Sequence, residues 1–305
     1  MRKRFKNIGV MMGGESSERE ISLKSGEAVC KALRRRGYNV IELMVDDFES
    51  VEITLKENRV DCVFIALHGG FGEDGRVQKI LEEMRIPYTG SDSKASYLAM
   101  NKIESKRIFK ECGLPVAPYK IYTANQDSLN LDGLTMPVVV KPSMQGSSVG
   151  LSIVENEEEI NRAISKAQGF DSQIIIERYI KGRELTVGIL EDKPLPVVEI
   201  IPKCKFYDYK AKYTKGLSEY EVPAKLDSSL SKRIQEIGLK AHRALGCCFF
   251  SRVDMRLSED NQVFILEVNS IPGLTTQSLL PKAAASAGIS FELLCDKIIN
   301  ASRSF

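Results

Sequence analysis

The chain has 305 residues, enough to bury a large core and to divide into two or three domains, and its 43 Lys and Arg nearly balance 41 Asp and Glu for a formal charge of +2. No long block of one sign occurs, so bulk charge gives no reason to expect nucleic acid or an anionic membrane as a partner. Seven cysteines, an odd count without a C-x-x-C pair, read as reduced structural thiols of a cytoplasmic protein, and the basic start MRKRF leads into no export signal or membrane span.

From residue 5 to about 90, apolar strand-like runs alternate with amphipathic helical ones, the pattern of a parallel α/β sheet. Residues 8–12 form the first strand, and Gly13 and Gly14 permit a tight turn. Ser17 and Glu20 then fit a capping box that opens a helix striped by Ile21, Ala28, Val29, Ala32 and Leu33, which Gly37 ends. Residues 38–45 and 60–67 supply two more strands. In such sheets ligands gather at the carboxyl ends of strands, where Glu15 and His68 fall. Gly70, Gly72 and Gly75 match a dinucleotide fingerprint, but Glu73 and Asp74 would set two negative charges beside a pyrophosphate, so a turn whose acids cap the next helix is the better reading.

Residues 91–113 predict one long helix carrying Lys102, stopped by Gly113, Pro115 and Pro118, with a domain boundary near its start. A β-branched strand at 138–140 then delivers Lys141 and the small-residue loop 145–150, holding Gly146, Ser147, Ser148 and Gly150. Its backbone N–H groups and hydroxyls suit a polyphosphate, although a mobile surface hairpin is the plain alternative and no P-loop motif occurs. Strand 173–177 runs into a polar connector holding Glu177 and Glu184. Runs 185–190 and 195–201 predict a hairpin, and residues 203–222, with four tyrosines and five lysines, suit a lid over an anionic ligand.

A helix at about 226–245 leads to two extended runs, 249–257 and 263–268, on either side of a turn placed at Asp260 and Asn261. Alternation sets Arg252, Asp254 and Arg256 on one face of the first strand. On the second it sets Glu267 and Asn269 opposite Phe264, Leu266 and Val268. That turn places Asp254 across from Glu267 and Arg252 across from Asn269. Facing carboxylates repel unless a cation lies between them, and Asp, Glu and Asn oxygens suit hard Mg²⁺. A solvated face with Arg–Asp pairing is the other reading of these residues alone. Residues 278–280 begin another helical run, and 291–303 form a last amphipathic helix.

Six stretches stand in order: GGESSEREISL at 13–23, HGGFGEDG at 68–75, VVVKPSMQGSSVG at 138–150, KAKY at 210–213, RVDMRL at 252–257 and EVNSIPG at 267–273. Together they resemble the D-alanine–D-alanine ligase family of the ATP-grasp superfamily across essentially the whole chain. The resemblance implies an α/β N-terminal domain (residues 1–95), a central ATP-grasp domain (96–185) and a C-terminal ATP-grasp domain (186–305) with the lid and metal site. It implies ATP on Lys102, Lys141, Ser147 and Ser148, adenine at Glu177 and Ile180, ribose at Glu184, and two Mg²⁺ or Mn²⁺ ions on Asp254, Glu267 and Asn269. It further implies a first D-alanine at Glu15 and His68, a second at Lys212, Ser278 and Leu279, and an oxyanion held by Arg252 and the Gly273 N–H. Glu15, Ser147 and Tyr213 resemble the family's hydrogen-bonded triad, and Tyr213 favours D-alanine over D-lactate as second substrate. Asn101 stands where an acid is usual, and Arg256 has no assignment. The expected partners are small molecules and a second copy of the chain in a homodimer. Another ATP-grasp ligase, a D-alanine–D-lactate ligase or a nucleotide-binding regulator is the alternative.

Overall fold

In the computed structural model, residues 4–123, 131–203 and 218–302 are described. They form three sheets; one apolar core joins the first sheet to the third, and the second sheet has a core of its own.

The first sheet is parallel, in the order β2-β1-β3, from β1 (Asn7–Gly13), β2 (Asn39–Val45) and β3 (Cys62–Ile65). β1 and β3 are buried almost throughout, as strands covered on both faces must be. One cover is helix α1 (Arg19–Arg35), which packs in turn on the C-terminal helix α9 (Phe291–Asn300), so the two ends of the chain share one core. Gly37 ends α1 with φ 77°, as its sequence position predicts. The capping box does not form: α1 begins at Arg19 with Glu18 at its cap, and it is Ser16 whose Oγ accepts the Glu18 N–H at 3.1 Å. The Gly70–Gly75 stretch makes a 3-10 turn at Gly70–Gly72 and then helix α3 (Arg76–Glu83). Asp74 Oδ1 accepts the Arg76 N–H at 3.1 Å, which is the acid-capped turn expected there.

The single helix predicted over 91–113 is two, α4 (Ser93–Met100) and α5 (Lys102–Glu111). Asn101, at ψ 98°, leaves helical geometry, and its Oδ1 accepts the N–H groups of Ile103 and Glu104, both at 3.1 Å. A side chain that offers the backbone this local alternative starts a new helix where the apolar period alone reads through.

The second sheet is antiparallel, in the order β4-β7-β5-β6, from β4 (Tyr119–Thr123), β5 (Val138–Pro142), β6 (Ser152–Val154) and β7 (Gln173–Arg178). Helix α6 (Ile160–Gln168) covers one face with Ile160, Ala163, Ile164 and Ala167. The third sheet runs β11-β10-β8-β12-β13, with β9 (Lys193–Pro194) beside β8. Its strands are β8 (Gly182–Leu190), β10 (Val198–Pro202), β11 (Ser218–Glu221), β12 (Phe250–Ser258) and β13 (Val263–Asn269). β8 pairs with β12 from Gly182 to Leu190, so the third sheet begins ahead of the division expected at 185/186. Helices α7 (Ser228–Ala244) and α8 (Leu279–Ser286) pack on this sheet. Among the described residues, no helix is long and apolar enough to cross a membrane.

The β12–β13 hairpin pairs Arg252 with Asn269 and Asp254 with Glu267, as expected, but by a different route. Near the turn the register is Leu257 to Val263, and it shifts by one residue between Asp254 and Met255, where a bulge at Leu266 absorbs the extra position. Phe264 therefore pairs with Arg256 and lies on the polar face, not on the side opposite Glu267 that strict alternation predicts.

Candidate active site

Two cavities meet at the polar face of that hairpin. The first, of about 400 Å³, lies between the second and third sheets and reaches Lys102, Lys141, Glu177, Ile180 and Glu184; Asp254 and Glu267 form its hairpin side. The second, of about 800 Å³, lies between the first sheet and α8 and reaches His68, Gly273, Ser278 and Leu279; Arg252 and Asn269 form its hairpin side. The loop after β5 divides them in the same way, with Gln145, Ser148 and Val149 on the first and Gly146 and Ser147 on the second.

Each hairpin carboxylate has a cation of its own. Asp254 accepts from Arg252 Nε at 2.8 Å and Nη2 at 2.7 Å, from Thr186 Oγ1 at 2.6 Å and from Asn269 Nδ2 at 3.0 Å. Glu267 lies 3.2 Å from Lys102 Nζ. The register expected to oppose two negative charges is thus held without repulsion. Two carboxylates and an amide also make a set of hard oxygen donors that fits Mg²⁺ or Mn²⁺, once the Asn269 amide turns its Oδ1 inward. Among the described residues, no group of three His, Cys, Asp or Glu is placed to hold a metal ion.

The break at Asn101 explains where Lys102 sits. Capping by Asn101 makes Lys102 the first residue of α5, its N–H donates to Ser143 O at 3.1 Å, and its Nζ donates to Gln145 O at 2.6 Å, on the rim of the dividing loop. In the β5–β7 ladder Val139 opposes Glu177, so Lys141, two residues on, shares its face diagonally. Lys141 Nζ lies 2.5 Å from Glu177 Oε1, and Lys106 Nζ lies 2.7 Å from Oε2. Burial works against the Glu177 charge, yet the attraction of Lys106 and then Lys141 holds its carboxyl down at about 2.

Ser147 and Ser148 both adopt left-handed backbone, with φ of 50° and 59°. Two such non-glycine residues in succession store strain of the kind found at ligand loops. Ser147 Oγ donates to Glu18 Oε1, a short contact across 129 residues. Here the expected assignment is corrected. Glu15 is exposed, whereas Glu18, 8% exposed, lines the second cavity and is the acid that meets Ser147. GGESSERE offers glutamates at 15, 18 and 20, and the turn held by Ser16 Oγ to His68 O at 2.7 Å decides which one points inward. Gly69 has φ 67°, a left-handed backbone that L side chains rarely adopt, which accounts for the glycine beside Glu18.

His68 is buried, with Nε2 3.0 Å from Ser25 Oγ and Nδ1 3.3 Å from Glu73 Oε1. Ser278 Oγ accepts the Thr275 N–H at 3.1 Å and so folds the turn that presents Gly273 and Leu279 to the cavity. Arg256 ties the connector after β7 together: Nε donates to Ile180 O at 3.1 Å, Nη2 to Gly182 O at 3.0 Å, and Nη1 to Glu184 at 3.1 Å. Lys212 and Tyr213 lie outside the described residues. The sequence reading missed Glu18 and Lys106 and left Arg256 without a place. Arg256 shares a strand face with Asp254, and that face was the available signal.

Two family models match the chain: "D-ala D-ala ligase N-terminus" over residues 45–91 and "D-ala D-ala ligase C-terminus" over 108–300. Among curated proteins, the D-alanine–D-alanine ligase of Geotalea uraniireducens is 50% identical over 97% of this chain and 95% of its own length. That of Aquifex aeolicus is 48% identical over 96% and 99%. Among solved structures, the Bacillus anthracis D-alanine–D-alanine ligase complexed with ATP superposes at a TM-score of 0.87 with 34% identity, covering 97% of both chains. The VanG D-Ala:D-Ser ligase of Enterococcus faecalis gives 0.83 with 31% identity over 97% of this chain and 99% of that one.

Proposed function

Because the chain belongs to the D-alanine–D-alanine ligase family, we propose that it joins two D-alanines into D-alanyl-D-alanine at the expense of ATP, for peptidoglycan precursors. The observation that carries this reading is the meeting of two cavities at one hairpin face, which lets a terminal phosphate in one reach a carboxylate in the other.

ATP takes the first cavity. Adenine lies toward Glu177 and Ile180, ribose toward Glu184, and the phosphates lie toward Lys102, Lys141 and the Ser147–Ser148 turn. Two Mg²⁺ or Mn²⁺ ions, held by Asp254, Glu267 and Asn269, supply charge neutralisation at the phosphates. The first D-alanine takes the second cavity, its ammonium near Glu18 and His68. Its carboxylate oxygen attacks the γ-phosphorus and the bond to ADP breaks, leaving an acyl phosphate. The second D-alanine, its carboxylate held by Ser278 and Lys212 with Leu279 beside it, attacks that carbonyl through its amine. Arg252 and the Gly273 N–H receive the charge on the carbonyl oxygen, and phosphate leaves, taking up the proton that the amine gives up, as the amide forms. Glu18 bound to Ser147 takes the place first given to Glu15 in the triad with Tyr213, and couples the loop that divides the cavities to the ammonium site. Of the lid expected at 203–222, residues 218–221 belong to β11 and 204–217 lie outside the described residues; a lid there would exclude the water that hydrolyses an acyl phosphate. A cytoplasmic setting and a homodimer complete the reading, and both rest on the family resemblance.

The test is product identification with D-alanine, ATP and Mg²⁺, with D-lactate and D-serine offered in competition. D-Alanine-dependent ADP release with D-alanyl-D-alanine as product is expected. Folded protein that binds ATP but releases no ADP, or that prefers D-lactate or D-serine as second substrate, overturns the reading.

A further inference from the structure

Lys106 is a charge in an expensive place. It sits one turn after Lys102 on α5, is fully buried, and lines neither cavity. Its Nζ lies 2.7 Å from Glu177 Oε2 and 5.6 Å from the centre of the Tyr119 ring. Burial depresses its pKa while Glu177 opposes the shift. A leucine or methionine would fill the same space without desolvating an ammonium, so packing does not account for the choice.

The geometry of Glu177 supplies an account. One oxygen holds Lys141, which lines the first cavity, and the other holds Lys106, which stands behind the wall. We propose that Lys106 is a positioning residue, the fixed counterion of Glu177 that frees Lys141 to leave that carboxylate for the phosphates of a bound nucleotide. The proposal rests on reading the first cavity as the ATP site. With Lys141 as its sole partner, Glu177 would retain it, since moving the lysine would abandon a buried carboxylate without a counterion. With Lys106 in place, the carboxylate stays paired while Lys141 moves. The local sum agrees: Lys102, Lys106 and Lys141 face Glu177 and Glu267, an excess of one positive charge beside the cavity.

The experiment compares wild type with Lys106→Met, which keeps length and apolar volume, in native and Glu177→Gln backgrounds. Calorimetry gives the Kd of ADP with Mg²⁺, and steady-state rates give KM for ATP and for D-alanine. For Lys106→Met we expect the ADP Kd and ATP KM to rise by about 10- to 100-fold, with kcat and the D-alanine KM within about threefold. In the Glu177→Gln background, with no charge to balance, the same change should move the Kd by less than about threefold. An ADP Kd within about twofold of wild type overturns the proposal. So does an equal loss in both backgrounds, or a parallel fall of every parameter with Tm, because a packing role alone would produce these. If Lys106→Met alone does not fold, the pair in the Glu177→Gln background decides: a Kd change above about threefold between Glu177→Gln and the double variant overturns the proposal. ADP binding is read without D-alanine, so a wild type that binds ADP and makes no dipeptide fails the proposed activity and leaves this test intact.

Discussion

Ser147, in left-handed backbone on the loop that divides the two cavities, donates its hydroxyl hydrogen bond to Glu18, the residue that caps α1 at the edge of the first sheet. One bond thereby joins the loop between the two cavities to the edge of the first sheet.

Replacing Glu18 with Gln should lower kcat/KM for dipeptide formation by about 100-fold, because the charge that meets the ammonium and fixes the loop is lost. Glu15→Gln should stay within about threefold of wild type, since its side chain is exposed and outside the cavity. Steady-state rates of the two variants side by side decide between the carboxylates; equal losses would return Glu15 to the site.

Glu267→Gln should raise the Mg²⁺ concentration for half-maximal rate by about tenfold or more, through loss of a carboxylate ligand. Its partner Lys102 is buried and loses its ion pair, so Tm should fall as well, and the rate is compared below both melting temperatures. A Mg²⁺ titration of the rate checks this, and an unchanged midpoint would remove Glu267 from the metal set.

Arg256→Leu should raise the ATP KM by about tenfold with a smaller effect on the D-alanine KM, since it releases Ile180 O, Gly182 O and the Glu184 carboxylate together. Arg256→Lys should not restore it, because one ammonium cannot span three acceptors that a planar guanidinium meets at once. Comparing the two KM values in both variants tests the assignment.

His242, fully buried with Nδ1 2.7 Å from Ser251 Oγ and Nε2 3.5 Å from Asp192, is pushed by burial from the usual 6.5 to about 4. The fold therefore favours the neutral ring. As pH falls below about 6.5 the unfolded chain takes up a proton that the folded chain refuses, and stability drops until about pH 4, where the folded ring also charges. The cost across that window is on the order of 3 kcal/mol. Urea midpoints of wild type and His242→Gln between pH 7 and pH 4 should converge as the pH falls, and parallel curves would contradict the assignment.

Local patterns determined much of this protein. Alternating apolar runs read as strands and Gly37 ended α1, because period and turn chemistry are properties of neighbouring residues. The ordered motifs carried Lys141, Ser147 and the hairpin acids to one region, and the family resemblance added Lys102. What the tertiary structure alone decided depends on distances through space. Which of three nearby glutamates meets Ser147 is set by a turn bonded to His68, and the split of one predicted helix is set by Asn101, whose Oδ1 both caps α5 and lies 3.2 Å from Ser143 Oγ on the loop after β5. The bulge at Leu266, which moves Phe264 to the polar face, is an insertion that strict alternation cannot register. The burial of Lys106 behind Glu177 comes last of all, since a lysine on a helix reads as solvated until the sheet that covers it is in place.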